Sequence, residues 1–363
     1  MTDVTFAKHA GAALLAIAFS LGGCASIGPN ALGRDHFDYV QVISDTQKRQ
    51  ALLNVVRLRY ADGLTFLSVN QLVSSYSLER TGSASVIPNP VLGYAFPTGT
   101  GGVTYTDRPT MTFSPVTGAQ LAASFVRPLP LSDVFPLAQN GMPIDVLLRL
   151  AVQSIGSLVN TGRLGNTPTS RSAGQIGSPD FFKLLADLRT LQDGGALSFR
   201  FAKTKDDAHV YLSISNSPNP ALNAVAAQAR SLLGVGPGEI EIIYGRATSR
   251  PNEVAVITRS VIGMLAHISA QIDVPEDDIQ AHRTLSSIGY ATAEQRPVVV
   301  VRTSPSQPQS TYVAVQFKDR WFWVADTDFD SKVAFSIVQI LMDIAHSDTG
   351  TTKGPILTIP ATQ

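Results

Sequence analysis

Residues 66–80 and 103–113 are two alternating stretches that flank a segment built from proline, glycine and apolar residues. The first is rich in Val, Leu, Ser and Tyr. The second, VTYTDRPTMTF, places threonine at alternate positions. Successive side chains on a strand face opposite ways, so both stretches read as β-strands. The intervening IPNPVLGYAFP and TGTGG read as the tip of a long β-hairpin. Such a tip buries itself poorly, and exposed apolar loops mark contact sites. Val91, Leu92, Tyr94 and Phe96 are therefore the candidate partner or membrane contacts. A loop folded back over its own domain is the alternative.

A helix over 34–60 is expected before the hairpin, with Phe37, Val40, Ile43, Leu52, Leu53, Val56 and Leu58 at helical spacing and Arg57 and Arg59 at its rim. After the hairpin, short helices are expected at 117–126 and 131–139, and a longer one over 143–160 with Pro143 in its first turn. Residues 161–177 are polar and rich in Gly, Ser and Thr, which reads as a linker or mobile loop. Beyond it, helices are expected at 179–191, 219–233, 260–272 and 331–345. Strands are expected at 197–201, 209–214, 239–244, 253–258, 297–302, 312–317, 321–324 and 356–359. Helices and strands mix without regular βαβ alternation. The expected fold class is α+β: an N-terminal helical region with a long β-hairpin (35–160), then a mixed, largely antiparallel sheet region with packed helices (178–363).

The chain has 363 residues with 28 basic and 28 acidic ones, so no basic excess points to nucleic acid. A single cysteine excludes a disulfide framework and a Cys-rich zinc site. That cysteine, Cys24, follows an uncharged apolar stretch over 10–23, the form of a secretory signal peptide, and too short to span a bilayer comfortably. Leu21-Gly22-Gly23-Cys24 resembles the lipobox of bacterial lipoproteins. The resemblance covers the first 24 residues only. It implies cleavage between Gly23 and Cys24, palmitate-type acylation of Cys24, and a tether over 24–34. Ala25, in place of an Asp, resembles the outer-membrane type. A lipid-anchored protein of the cell envelope, outer membrane more than inner and facing the periplasm, is the expectation, with no cofactor beyond the covalent lipid.

Catalytic signatures are absent from the sequence: there is no H-E-x-x-H, no G-x-S-x-G and no S-x-x-K. Gly234, Gly236 and Gly238 fit a helix end and turn better than a phosphate loop, because Pro237 interrupts them and no Gly-Lys-Ser/Thr follows. Asp326, Asp328 and Asp330 stand at alternate positions and are the candidate Ca²⁺ ligands. The competing reading makes Asp328 or Asp330 the cap of the following helix. The expectation is a non-enzymatic subunit of a secretion, transport or surface assembly, with a protein partner and no nucleic acid. A small-ligand carrier and a periplasm-facing hydrolase of envelope polymers are the alternatives.

Overall fold

The computed structural model describes residues 27–89, 94–160, 177–203, 208–287 and 295–347. Cys24, Gly23, Val91, Leu92, the expected strand at 356–359 and nearly all of the 161–177 segment lie outside them.

Helix α1 (Ile27–Arg59) begins well before Arg34, so part of the expected extended tether is helical. Pro29 is tolerated there because the first turn has no intrahelical use for its N–H. A helix of 33 residues runs for about 50 Å. Ala51, Leu52, Val55 and Val56 are buried in its C-terminal part, while Phe37, Val40 and Val42 are exposed. The apolar periodicity of 37–43 therefore does not mark a buried face.

Strands β1 (Leu67–Asn89) and β2 (Tyr94–Pro115) form an antiparallel ribbon, in register from Leu67↔Pro115 to Asn89↔Tyr94 with one irregularity near Val69. Pairing continues far past the expected strand ends at Arg80 and Val103. The expected tip is mostly strand, because Ser83/Thr100 and Ser85/Thr98 extend the alternation across the glycines.

The body begins at Val116. α2 (Gly118–Leu121) runs into a π-helical turn over Ala122–Val126, followed by α3 (Leu131–Gln139) and α4 (Ile144–Ala151). The helix expected to reach 160 stops at Ala151. β-branched Val152 and Ile155 form β3 (Val152–Ile155), and Gly156 at φ +55° turns the chain into β4 (Leu158–Val159). A side chain at that φ would be strained, and glycine escapes the penalty.

α5 (Pro179–Asp193) precedes β5 (Leu197–Lys203) and β6 (Ala208–Ile214). α6 (Pro220–Leu233) is capped by the Asn219 side chain, which accepts from the Ala221 N–H at 3.0 Å. Gly234 ends it in the left-handed region at φ +70°. β7 (Ile240–Tyr244), β8 (Glu253–Thr258), α7 (Val261–Ser269) and α8 (Glu276–Gln280) follow. The six-stranded sheet has the order β4-β3-β8-β7-β6-β5, antiparallel throughout except for β7 with β8. Its strands come from both sides of the 161–177 segment, so that segment does not divide the sheet.

A smaller sheet, β10-β11-β9, is built from β9 (Arg302–Ser304), β10 (Thr311–Phe317) and β11 (Arg320–Ala325), with α9 (Phe329–Ser347) after it. Residues 297–301 were expected to be strand. Val298, Val299 and Val301 are buried there, but side chains satisfy the backbone: Val298 N–H donates to Gln271 and Val300 N–H to Ser331 Oγ. Apolar content buried the segment without any ladder to join. Phe322 is fully buried and Trp321 and Trp323 half-buried, as bulk on both faces of β11 foretold. One continuous buried cluster links α1, α4, both sheets of the body, α7 and α9. The architecture is α+β.

Candidate functional site

Two features of the body and one outside it are candidates. The first is the aspartate run. Asp328 Oδ1 accepts from the Ser331 N–H at 3.2 Å and its Oδ2 from Ser331 Oγ at 2.8 Å, an N-cap on α9. Asp326 accepts from Lys332 Nζ at 3.1 Å, and Asp330 pairs with Arg296. Each carboxylate thus serves a different neighbour. Among the described residues no group of three or more His, Cys, Asp or Glu is placed to hold a metal ion. The glycines after α6 are likewise engaged: Arg230 donates to the carbonyls of Gly236 and Gly238, and Gly236 N–H donates to Asn252.

The second is a polar seam on the sheet face opposite the buried residues Val210, Leu212, Ile240 and Ile242. Cross-strand register sets Arg200, Tyr211, Glu241 and Glu253 in a row over β5, β6, β7 and β8. The Arg200 guanidinium lies 4.0 Å from the Tyr211 ring centre and forms an ion pair with Glu239 at 2.6 Å. Glu241 takes His209 Nδ1 at 2.8 Å and Arg250 at 3.1 Å. Glu253 accepts from the backbone N–H groups of Ser249 and Arg250, and these hold its carboxyl below the usual range against the opposing effect of desolvation. Both carboxylates of the row are therefore engaged by neighbouring donors. The sequence offered no signal for this row, since its members are separated by up to about fifty positions and are joined only by register.

Beneath lies a buried cationic cluster that sequence reasoning also missed. Arg259 Nη1 donates to the carbonyls of Arg149, Leu150 and Val152 at 3.0, 3.2 and 2.6 Å, closing the C-terminus of α4. Asn160 adds donors to the Arg149 and Val152 carbonyls, both at 2.8 Å. A cation at a helix C-terminus complements the dipole and the unbonded carbonyls. Burial lowers the Arg259 pKa to about 9. Arg59, expected at a rim, is buried as well: it donates to the carbonyl of Leu285 at 2.7 Å and to Ser287 Oγ at 3.2 Å, and burial lowers its pKa to about 10. Arg57 keeps the rim position and donates to Thr65 Oγ1.

His267 is buried within 3.5 Å of Arg259. Desolvation first, then the charges of Arg259 and Arg149, push its pKa well below 6.5. The folded state keeps the ring neutral while the unfolded chain takes a proton below that value. Stability is therefore lost as pH falls through the window beneath about 6.5. Chemical denaturation between pH 7 and 5 should show stability falling by up to about 1.4 kcal/mol per pH unit from this group, and His267→Gln should flatten that part of the slope. An unchanged slope in the variant would refute this role.

The third candidate is the ribbon. Neither β1 nor β2 pairs with another described strand, and no other described helix or strand makes an extensive contact with them. At mid-ribbon, Thr81, Ser83, Thr100 and the glycines beside them are exposed. Ser83 Oγ and Thr100 Oγ1 lie 2.6 Å apart across the strands. Tyr94 and Phe96 hold register positions opposite Asn89 and Ile87 near the tip. An isolated two-stranded hairpin is marginal in water, and open edges invite pairing. Each strand of the ribbon has twenty-two paired positions. No helix among the described residues is long and apolar enough to cross a membrane. Neither protein-family models, nor curated proteins, nor solved structures give a match to this chain.

Proposed function

We propose that the chain is a lipid-anchored envelope protein serving as a non-enzymatic subunit of an assembly, held to the membrane through Cys24. The observation that supports this reading is the long β1–β2 ribbon, which pairs with no other described strand. A body that closes its own core but carries such a ribbon has an element suited to a partner outside it. The exposed Phe37, Val40 and Val42 of α1 support the reading from the other end: they stand between the expected anchor and the buried part of the helix. Three acyl chains at Cys24 would hold the protein firmly, since one chain alone binds marginally and each buried CH₂ contributes about 0.8 kcal/mol.

The experiment is Cys24→Ala expressed with its full export signal. The parent should partition with membranes, incorporate labelled fatty acid and migrate as the processed form. The variant should lose the label and remain unprocessed or become soluble. Normal processing and membrane retention of Cys24→Ala would refute the anchor. Cross-linking the parent in intact cells should give discrete higher-mass species, and a strictly solitary protein would refute the assembly role.

A further inference from the structure

The prolines of the ribbon fall in one phase of its ladder. Pro97, Pro109 and Pro115 of β2 are separated by even numbers of positions, and Pro88 of β1 is registered with Ala95, in the same phase. A proline has no N–H, and it keeps its place inside an antiparallel ladder only where its nitrogen faces away from the partner strand. That phase is therefore the one whose backbone groups point to the outer edges, and both members of each such pair point outward. On β2, three outward positions lack a donor, from near the tip to the base. On β1 the outward positions include Ser74, registered with Pro109, Val86, registered with Pro97, and every second residue between them. None of these is proline, and neither is Leu72 before them. From Leu72 to Val86, about 50 Å of strand, β1 keeps every outward N–H. The two edges are thus unequal: proline closes an edge strand to further pairing, and only β2 carries it along its length.

The other described sheet edges do not compete. β4 has two residues and β9 three, β10 packs against α1, and the Phe199 N–H at the edge of β5 is taken by Gln139 at 2.7 Å. A strand that matches the length of the β1 edge is β1 of another copy. Two identical open edges meet antiparallel about a two-fold axis, and each supplies the partners that the other lacks. The product is a four-stranded sheet in the order β2-β1-β1-β2. Both of its outer edges are the proline-bearing β2, so pairing stops at two copies. Each chain enters and leaves its ribbon at Leu67 and Pro115, so antiparallel pairing sets the two bodies at opposite ends of the shared sheet. A two-stranded ribbon alone is marginal in water, and four strands lift that limit. Leu72 to Val86 supplies about 15 residues a side, fewer than the roughly 20–30 of a standard stable interface. Anchoring both copies to one surface raises their effective concentration and offsets that shortfall.

We propose that two copies of the chain pair through the outer edge of β1, antiparallel about a two-fold axis, and that the prolines of β2 close the resulting sheet at four strands. The inference rests on the reading of the chain as an anchored assembly subunit, and it names the partner as a second copy.

Single cysteines in the full-length protein, oxidised in the membrane, test it. A step of two positions away from the axis sets equivalent residues of the two copies four positions apart, about 13 Å along the strand. Ser75→Cys, Ser77→Cys, Thr81→Cys and Ser83→Cys should therefore give disulfide-linked dimers whose yield peaks at one point along β1 and falls away from it. Thr100→Cys and Thr104→Cys on β2, and the parent with Cys24 alone, should give none. Leu78→Pro, in the outward phase of β1, should lower dimer yield in chemical cross-linking at least tenfold while the body keeps its unfolding midpoint. Pro97→Ser combined with Pro109→Ser should open the edge of β2 and carry the protein beyond dimers. Monomers from every β1 cysteine, no peak along the strand, links through the β2 cysteines, an undiminished dimer in Leu78→Pro, or no species larger than a dimer after removal of the two prolines would each overturn the proposal. Links from the β1 cysteines to a different protein, with fatty-acid labelling intact, would overturn it while leaving the anchored-subunit reading in place.

Discussion

Replacing residues 68–114 with a four-residue Gly/Ser turn should leave the body folded and abolish assembly. The chain enters and leaves the ribbon at adjacent points: Val116 N–H donates to the Phe66 carbonyl at 2.9 Å. Phe66 is buried and stacks on Phe125 with ring centres 4.1 Å apart, so both ends of the excision stay anchored in the core. No described helix or strand of the body makes an extensive contact with the ribbon. The replacement turn is short and joins adjacent points, so stability should hold to within about 1 kcal/mol. Chemical denaturation of the excised protein measures the first effect. Cross-linking in membranes measures the second, where multimers should vanish. A fall in stability above about 1 kcal/mol would show that the ribbon supports the body, and persistent multimers would place the contact surface elsewhere.

Arg259→Ala should be the most damaging single substitution in the body. The guanidinium supplies donors to three carbonyls at the end of α4, and its own backbone is tied in on both sides: Arg259 N–H donates to the Ala151 carbonyl at 2.7 Å, and its carbonyl accepts from Leu129 at 3.0 Å. Truncation leaves buried acceptors short of donors, at about 1–3 kcal/mol each, and opens a cavity where the side chain stood. Asn160 retains its own bonds to two of those carbonyls, which limits the sum. The expected loss is on the order of 3–5 kcal/mol in denaturant unfolding, the range for breaking a buried charged network. Arg259→Lys should recover only part of it, because an ammonium lacks the planar fork that spans separate acceptors. A loss below about 1 kcal/mol for Arg259→Ala would show that the α4 terminus is satisfied by other groups.

Local chemistry was readable where a residue's own neighbours decide its structure. Asn219 and Pro220 open α6 and Gly234 closes it, because capping and φ preference act within a few positions. Asp328 caps α9 for the same reason. The period-two runs of β6, β7 and β10 were legible because each of those strands has one buried face. Failures came where a distant partner intervenes. Val152–Ile155 is strand rather than helix because β8 waits beside it. Residues 298–301 are buried without a sheet because Gln271 and Ser331 satisfy their backbone. Arg59 is buried because the carbonyl of Leu285, more than two hundred positions away, receives it.

The same division holds for the candidate sites. The sequence alone determined the α+β class, the two strands of the ribbon, its alternating threonines and the expectation of an anchor at Cys24, since each rests on local pattern. Only the tertiary structure decided that the ribbon runs on into the expected tip, that it pairs with no other described strand, and that Arg259 and His267 lie together in the core. It also decided that the three aspartates serve three different partners. Those outcomes depend on which surfaces meet across the chain. Register and packing fix such meetings, and no window of neighbouring residues contains them.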